Sequence, residues 1–310
     1  MEEENSDDEK ESVADRARLL DSDSEPEQPD PVAARACIDP YLDDIDGYMR
    51  SLEERRRPRD YMPMAVIRPS WRAILVDWLV EVTDEFKLLP DTLHLAVSYL
   101  DRFLSVRDVV ERELQLLGVA ALLVAAKYDS DRYVHDVESY SYITDTYTQQ
   151  QVVEMEADIL NLLKFEMGSP TARTFLRKFL TACRSGDDDG AKARKLEFMC
   201  SYLADLSLVE YECTRFKPSV VAASCLFVAW FTISPSTCPW NLTLQRNTEY
   251  KVSDLESCIL KIHRLQLIGT YSCLKGKAIK DKYSHCELER VSKVASPREI
   301  PKYFLKDIKQ

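Results

Sequence analysis

Apolar residues recur at helical spacing along most of this chain, and almost nowhere do they alternate as in a strand. Between residues 71 and 82, W-R-A-I-L-V-D-W-L-V-E-V, Trp71, Ile74, Leu75 and Trp78 stand at i, i+3, i+4 and i+7. That spacing puts the four on one face of a helix running from Pro69-Ser70 to about Lys87. Arg72 and Asp77 interrupt a run that is otherwise apolar, and a charge placed there is costly unless it is paired.

The same reading extends in both directions. Asp39-Pro40 supplies an N-cap and a first-turn proline for a helix with Tyr41, Leu42, Ile45, Tyr48, Met49 and Leu52 on one side. Arg55, Arg56, Arg57 and Pro58 end it, cations meeting the negative helix end. A lone helix of that size is marginal in water, so its apolar face must dock on something. Asp91 is placed to cap a helix with Leu93, Leu95, Ala96, Tyr99, Leu100, Phe103 and Leu104 inward. Residues 114–128 are apolar nearly all round, which suits a helix wrapped by others, and their alanines and Gly118 admit close neighbours. A short segment at about 134–141 follows, and Thr148-x-x-Gln151 reads as a capping box for a helix to about Leu163.

After Ser169-Pro170, expected to start a helix, the layout repeats. A shift of 103 residues sets Tyr99 on Tyr202, Phe103 on Leu206, Leu123 on Leu226 and Ala126 on Ala229. A second all-apolar helix, S-V-V-A-A-S-C-L-F-V-A-W-F, stands where the first predicts it, and Ser253-x-x-Glu256 should cap the last clear helix, ending near Gly269. The expected fold is therefore all-α, with two tandem five-helix domains. The boundaries read as an acidic disordered arm at 1–36, an N-terminal helix and linker at 37–69, domains at 70–165 and 166–270, and a basic tail at 271–310.

Charge sharpens that division. Residues 1–30 carry 13 acidic and 3 basic side chains, and residues 271–310 carry 5 acidic and 10 basic ones, so the overall −12 says little about the middle. The tail reads as a solvated end. No basic stripe with interleaved aromatics argues for nucleic acid, and no run approaches a membrane span. The N-terminus, M-E-E-E-N-S-D-D, is the reverse of a signal peptide, so a soluble intracellular protein is expected. Nine cysteines without a C-x-x-C pair fit neither a disulfide framework nor a zinc site, and Cys200, Cys213, Cys225 and Cys258 read as small core residues. His94, His135, His263 and His285 are dispersed and read as filler of surface or core. Phosphate loops, H-E-x-x-H and a nucleophile elbow are all missing, so no catalytic residue, metal or cofactor is assigned, and binding is the expected class of function.

Five ordered blocks carry a resemblance: W-R-A-I-L-V-D-W-L-V-E-V (71–82), L-H-L-A-V-S-Y-L-D-R-F-L-S (93–105), L-Q-L-L-G-V-A-A-L-L-V-A-A-K-Y (114–128), Y-I-T-D-T-Y-T (142–148) and M-E-A-D-I-L (155–160). From about Tyr41 to Gly269 the chain resembles the A-type cyclins, closest to plant members. The resemblance implies a regulatory subunit, not an enzyme, that binds and activates a cyclin-dependent serine/threonine kinase in nucleus and cytoplasm, around S phase or G2–M. Lys127 and Glu156, with Tyr128 beside them, match the residues that grip the kinase around its C-helix; read without the family, Lys127 is better taken as a lysine snorkelling from a helix end. The second repeat has Trp230 at the place of Lys127.

Trp71, Ile74, Leu75, Trp78, Glu81, Leu114 and Gln115 match the apolar patch that takes up Arg-x-Leu motifs of substrates and inhibitors. Periodicity alone leaves the four α-helical apolar residues open to a core role. Arg72 and Asp101 match a buried structural ion pair. Arg16 and Leu19 match the start of a degradation signal that would recruit a ubiquitin ligase, but Ser22 and Ser24 stand at its later positions. Two further departures matter: Trp71 replaces the family's Met, narrowing the patch mouth, and Ser130 and Tyr133-Val134 replace an acid and a Pro pair next to the kinase contact. The rival readings are a cyclin-fold transcription factor or pocket-type peptide-binding protein, which predicts a basic folded region, and a small helical enzyme.

Overall fold

Twelve α-helices are seen in a computed structural model that describes residues 41–129, 136–183, 190–269 and 276–308. They are α1 (Leu42–Arg55), α2 (Pro69–Glu85), α3 (Pro90–Leu104), α4 (Glu111–Asp129), α5 (Val137–Thr144), α6 (Gln149–Leu162), α7 (Ala172–Cys183), α8 (Gly190–Val209), α9 (Pro218–Ile233), α10 (Leu242–Thr248), α11 (Val252–Gly269) and α12 (Lys277–Lys282). No strand occurs among the described residues. From Tyr48 onward they hold together as one unit, while residues 41–47 at the start of α1 belong to another. Residues 1–40, with Arg16, Leu19 and the expected cap Asp39, and residues 130–135, with Ser130, Tyr133, Val134 and His135, lie outside the described residues.

Two helices organise the rest. α4 buries Leu114 and every residue from Leu116 to Ala126, and α2, α3, α5 and α6 pack around it. Its acids, Glu111 and Glu113, stand in the first turn and Lys127 in the last, both favourable to the helix dipole. Gly118 is required for this packing, because a Cβ there would lie 2.7 Å from Leu75 Cδ1. α9 repeats the plan, apolar nearly all round and enclosed by α7, α8 and α11. α6 opens on the expected capping box, Thr148 with Gln151.

Several helix starts differ from expectation. α3 begins at Pro90 with no side-chain cap; Asp91 instead pairs with Arg177 at 3.1 Å and Arg173 at 3.5 Å. α7 begins at Ala172, two residues after Pro170, where Thr171 and Thr174 exchange backbone-to-hydroxyl bonds of 3.1 and 3.4 Å. At α11 the cap is Asp254, which accepts from Lys251 N at 2.9 Å, while Ser253 is turned to Asp307. At α7 and α11 a nearby polar residue takes the amide, and spacing alone does not choose between them, whereas at α3 two arginines draw Asp91 away.

The basic tail is not a solvated end. Residues 276–308 fold back with Ala278, Ile279, Tyr283, Val291, Ile300 and Phe304 buried, and α12 packs on α2 and α8. Their apolar residues are too sparse to show helical periodicity, yet each fills a place on a surface already built. Here Asp77 finds its partners: its carboxylate accepts from Lys277 N at 3.1 Å and Ala278 N at 3.4 Å. Lys282 pairs with Asp84 at 2.9 Å. The C-terminal part of α1 docks through polar contacts as well as through Leu52. The buried Glu53 carboxylate accepts from Ser219 N and Oγ at 3.0 and 2.8 Å, capping α9, and Arg50 donates to Thr248 O at 2.8 Å.

Candidate functional site

Arg72 and Asp101 form a buried, two-pronged ion pair. Arg72 Nε and Nη2 donate to the two carboxylate oxygens at 2.7 Å each, Nη1 donates to Leu208 O at 2.7 Å, and Tyr61 Oη donates to Asp101 Oδ1 at 2.8 Å. Burial opposes the charge on Arg72, but the Asp101 carboxylate outweighs it and holds the guanidinium protonated. Burial and that same carboxylate push the Tyr61 hydroxyl up, so it stays a donor. The pair ties α2 and α3 to the end of α8.

A second polar cluster at this junction was missed in the sequence. His94 Nε2 lies 2.9 Å from Asp205 Oδ1, and Tyr283 Oη donates to Asp205 Oδ2 at 2.8 Å. All three side chains are buried, so His94 is in the core, but as part of a network rather than as filler. Burial holds the imidazole below its ordinary value. Burial also opposes an ionised Asp205, yet the hydrogen bond from His94 and the charges of Arg173 and Lys282 keep its carboxyl below the usual range. The partners come from α3, α8 and the segment after α12, more than 70 residues apart in each case.

Lys127 and Glu156 lie at an outer face. Lys127 Nζ donates to both Glu156 oxygens at 2.6 and 2.8 Å, bridging the end of α4 to α6. The lysine side chain is 46% exposed and the glutamate 13%, so Glu156 is more covered than a fully exposed pair would be. Tyr128 is exposed beside them and lines a groove of about 590 Å³ with Tyr48, Met49, Leu95, Phe165 and Met167. Phe165 was missed: it follows α6 in a left-handed conformation (φ 58°), next to Lys164 (φ 54°), with 67% of its surface in solvent. Two successive non-glycine residues there are strained and need the surroundings to hold them. Arg102 and Tyr99 do so by donating to Glu166 O and Met167 O at 3.0 Å, and Arg56 donates to Gly168 O. A Cβ at Gly168 would lie 2.6 Å from Tyr128 Oη, so a larger residue there would push the tyrosine aside.

The residues around Trp71 form a separate groove of about 240 Å³. Trp71, Ile74, Leu75, Trp78, Leu114 and Gln115 line it, together with Glu111, which the sequence analysis did not single out. Glu81 is exposed on the same helix but does not line the groove. α2 turns out to have two apolar faces. Ala73, Val76, Leu79, Val80 and Val82 are buried in the core, whereas Ile74 is 59% exposed and both tryptophans are half-buried. The Arg68 guanidinium lies 5.5 Å from the Trp71 ring centre, a cation–π contact that steadies the indole at the rim.

Elsewhere the four buried cysteines behave as core residues, each thiol pushed up by burial. Among the described residues no three metal-ligating side chains converge, and no helix is long and apolar enough to cross a membrane.

Comparison with known proteins agrees with this geometry. Residues 44–168 match the family model "Cyclin, N-terminal domain" and residues 170–297 match "Cyclin, C-terminal domain". Cyclin-A3-2 of rice (Oryza sativa subsp. japonica) is 52% identical over 274 residues, covering 86% of this chain and 70% of its own. Putative cyclin-A3-1 of Arabidopsis thaliana is 43% identical over 293 residues, covering 93% and 80%. Among solved structures, a viral cyclin from herpesvirus saimiri superposes with a TM-score of 0.61 at 21% identity, over 70% of this chain and 95% of the viral one, a likeness of fold. With two tandem cyclin domains and relatives of this closeness, the chain belongs to the cyclin family, among the plant A-type cyclins.

Proposed function

We propose that this chain is a non-catalytic regulatory subunit that binds a cyclin-dependent serine/threonine kinase and switches it on. One observation carries the reading: a bridged polar pair, Lys127–Glu156, joins the end of α4 to α6, with exposed Tyr128 next in the chain and exposed Phe165 in the groove that Tyr128 lines. Exposed aromatics held in place next to fixed charges suit a partner surface with its own apolar side chains and polar backbone ends. The kinase C-helix would be gripped there, placing its glutamate against the active-site lysine. Activation then follows from tighter contact with the active conformation than with the inactive one.

The Trp71 groove is the proposed docking place for Arg-x-Leu segments of substrates and inhibitors. Its floor is apolar, and Glu111 in the wall and Glu81 beyond it offer carboxylates to the motif's cation. In this reading the protein works in nucleus and cytoplasm at S phase or G2–M, and Arg16 and Leu19 present it to a ubiquitin ligase.

The purified chain should co-purify with at least one member of a panel of cyclin-dependent kinases and raise its phosphorylation rate. Substrates with an Arg-x-Leu segment should gain more than the same substrates without one. Failure to bind any kinase, or phosphorylation by this chain alone, would overturn the reading.

A further inference from the structure

Among the described residues, Glu111 is the only charged one that lines the Trp71 groove. It is exposed in the first turn of α4, and no ion pair or side-chain hydrogen bond among those residues engages it. Its neighbours Arg112 and Glu113 face each other at 3.9 Å. Arg68 lies against the Trp71 ring and is not part of the groove wall. A carboxylate is therefore left open to whatever the groove takes up.

The helices fix where that carboxylate stands. α2 and α4 touch at Leu75 and Gly118. α2 closes with Leu88 N donating to Thr83 O at 3.0 Å, α3 starts at Pro90, and Thr92 Oγ1 donates to the Asp129 carboxylate at 3.0 Å. Asp129 ends α4, so the C-terminal ends of α2 and α4 lie together and the two helices run in broadly the same direction. From the Leu75–Gly118 contact, Glu81 lies six residues onward along α2, and Glu111 seven residues back along α4. At about 1.5 Å of rise per residue they stand about 20 Å apart, beyond opposite ends of the apolar floor. An ion pair closes only within about 4 Å, so one peptide cation does not serve both carboxylates.

Taking the groove as the docking place proposed above, we propose that Glu111 is a specificity-determining residue. It selects Arg-x-Leu segments that carry a second cation, Lys or Arg, on the far side of the leucine. With the motif's arginine on Glu81, an extended segment at about 3.3 Å per residue brings the side chain about three positions after the leucine to Glu111. Dibasic segments are thereby taken ahead of the bare motif.

The test is fluorescence polarisation with the full chain and labelled Arg-x-Leu peptides that carry Lys, Ala or Glu at each of the first four positions after the leucine. At low salt, Lys at one of these positions should bind about threefold tighter than Ala, and Glu about threefold weaker, as suits an exposed ion pair. High salt should close the gap. Glu111→Lys, at an exposed site, should keep the helical circular dichroism spectrum and invert the order, so that Glu binds best. Replacing the motif's arginine by alanine should weaken binding equally in both proteins. Equal binding of Lys, Ala and Glu at every position would overturn the proposal, as would an unchanged order in the folded Glu111→Lys protein. Loss of the dependence on the motif's arginine in Glu111→Lys would also overturn it, since Glu111 would then hold that arginine. Failure of every Arg-x-Leu peptide to bind would remove the docking place itself, and the proposal with it.

Discussion

Arg72–Asp101 and Lys127–Glu156 are both cation–carboxylate pairs between neighbouring helices, both two-pronged, and both implied by the same family resemblance. They differ in what surrounds them. The first is sealed, and a third N–H of its guanidinium goes to Leu208 O while Tyr61 adds a bond to Asp101. The second keeps the lysine 46% exposed. A sealed pair, once made, has nothing left to offer a partner. An open pair is worth little to the fold, about 0–1 kcal/mol, but its charges remain available to another chain. Exposure, rather than the identity of the residues, separates the structural pair from the candidate binding pair.

The largest effect should come from opening the sealed pair. Asp101→Ala leaves Arg72 charged and buried without its carboxylate, and should cost about 3–5 kcal/mol of stability by urea denaturation. A loss under about 1 kcal/mol would mean that Leu208 O and Tyr61 suffice for Arg72, and the contrast between the pairs would dissolve.

Next comes reversal of the open pair, Lys127→Glu with Glu156→Lys. The intramolecular bridge can re-form with its ends exchanged, so stability should move by no more than about 0.5 kcal/mol. Kinase binding should weaken by several kcal/mol, because each charge now meets the wrong partner. Undiminished co-purification of the folded double mutant would remove the pair from the interface.

The His94–Asp205–Tyr283 network offers a sealed cluster that titrates. Tyr283→Phe removes one hydrogen bond to a charged acceptor and should cost about 2 kcal/mol. The folded-state value of His94 lies below the unfolded one, so the unfolded chain takes up a proton that the folded one refuses. Its contribution is therefore complete above about pH 6.5 and declines as the pH falls below that. Asp205, also lowered, adds a further loss from about pH 4 downward. Denaturation midpoints measured across this range should fall on acidification, and a flat profile between pH 7 and pH 5 would contradict the assignment.

The smallest effect on stability, under about 1 kcal/mol, is expected for Trp71→Met, since the indole is half in solvent. Kinase binding should be untouched. By fluorescence polarisation, the unbranched methionine should accept a wider range of residues after the leucine of Arg-x-Leu peptides. Identical peptide preference in both proteins would show that Trp71 does not shape the groove.

How much of this was legible in the sequence depends on how far apart the partners lie. α4 and α9 could be read directly, because a helix apolar on every side has only one place to go, and the Thr148 capping box is complete within four residues. The face shared by Trp71, Ile74, Leu75 and Trp78 was visible as a face. Whether it pointed inward was not, because periodicity orders residues on a helix without saying which neighbours cover them. Leu75 is buried and Ile74 is not, although they are adjacent. Phe165 sits in a two-residue left-handed stretch outside any period, and its exposure is set by the grip on the three carbonyls that follow it. Asp77 could be marked only as a charge in need of a partner; the partner lies 200 residues on. The C-terminal segment escaped for the same reason, since its apolar residues acquire meaning only against α2 and α8.

That last separation has a consequence for how the protein is made. At ribosomal speeds of about 5–20 residues per second, the 200 residues between Asp77 and Lys277 take roughly 10–40 s to synthesise. For that interval a nascent first domain exists without the backbone amides that answer Asp77, and Asp205, once made, waits a further 78 residues for the hydroxyl of Tyr283. The early helices can pack as soon as they emerge, but the inner surface of α2 and α8 that α12 will cover stays open to the translation milieu. Chaperones and proteases therefore meet a window that closes only when residues 276–308 arrive, so a premature stop just after α11 should yield a short-lived protein.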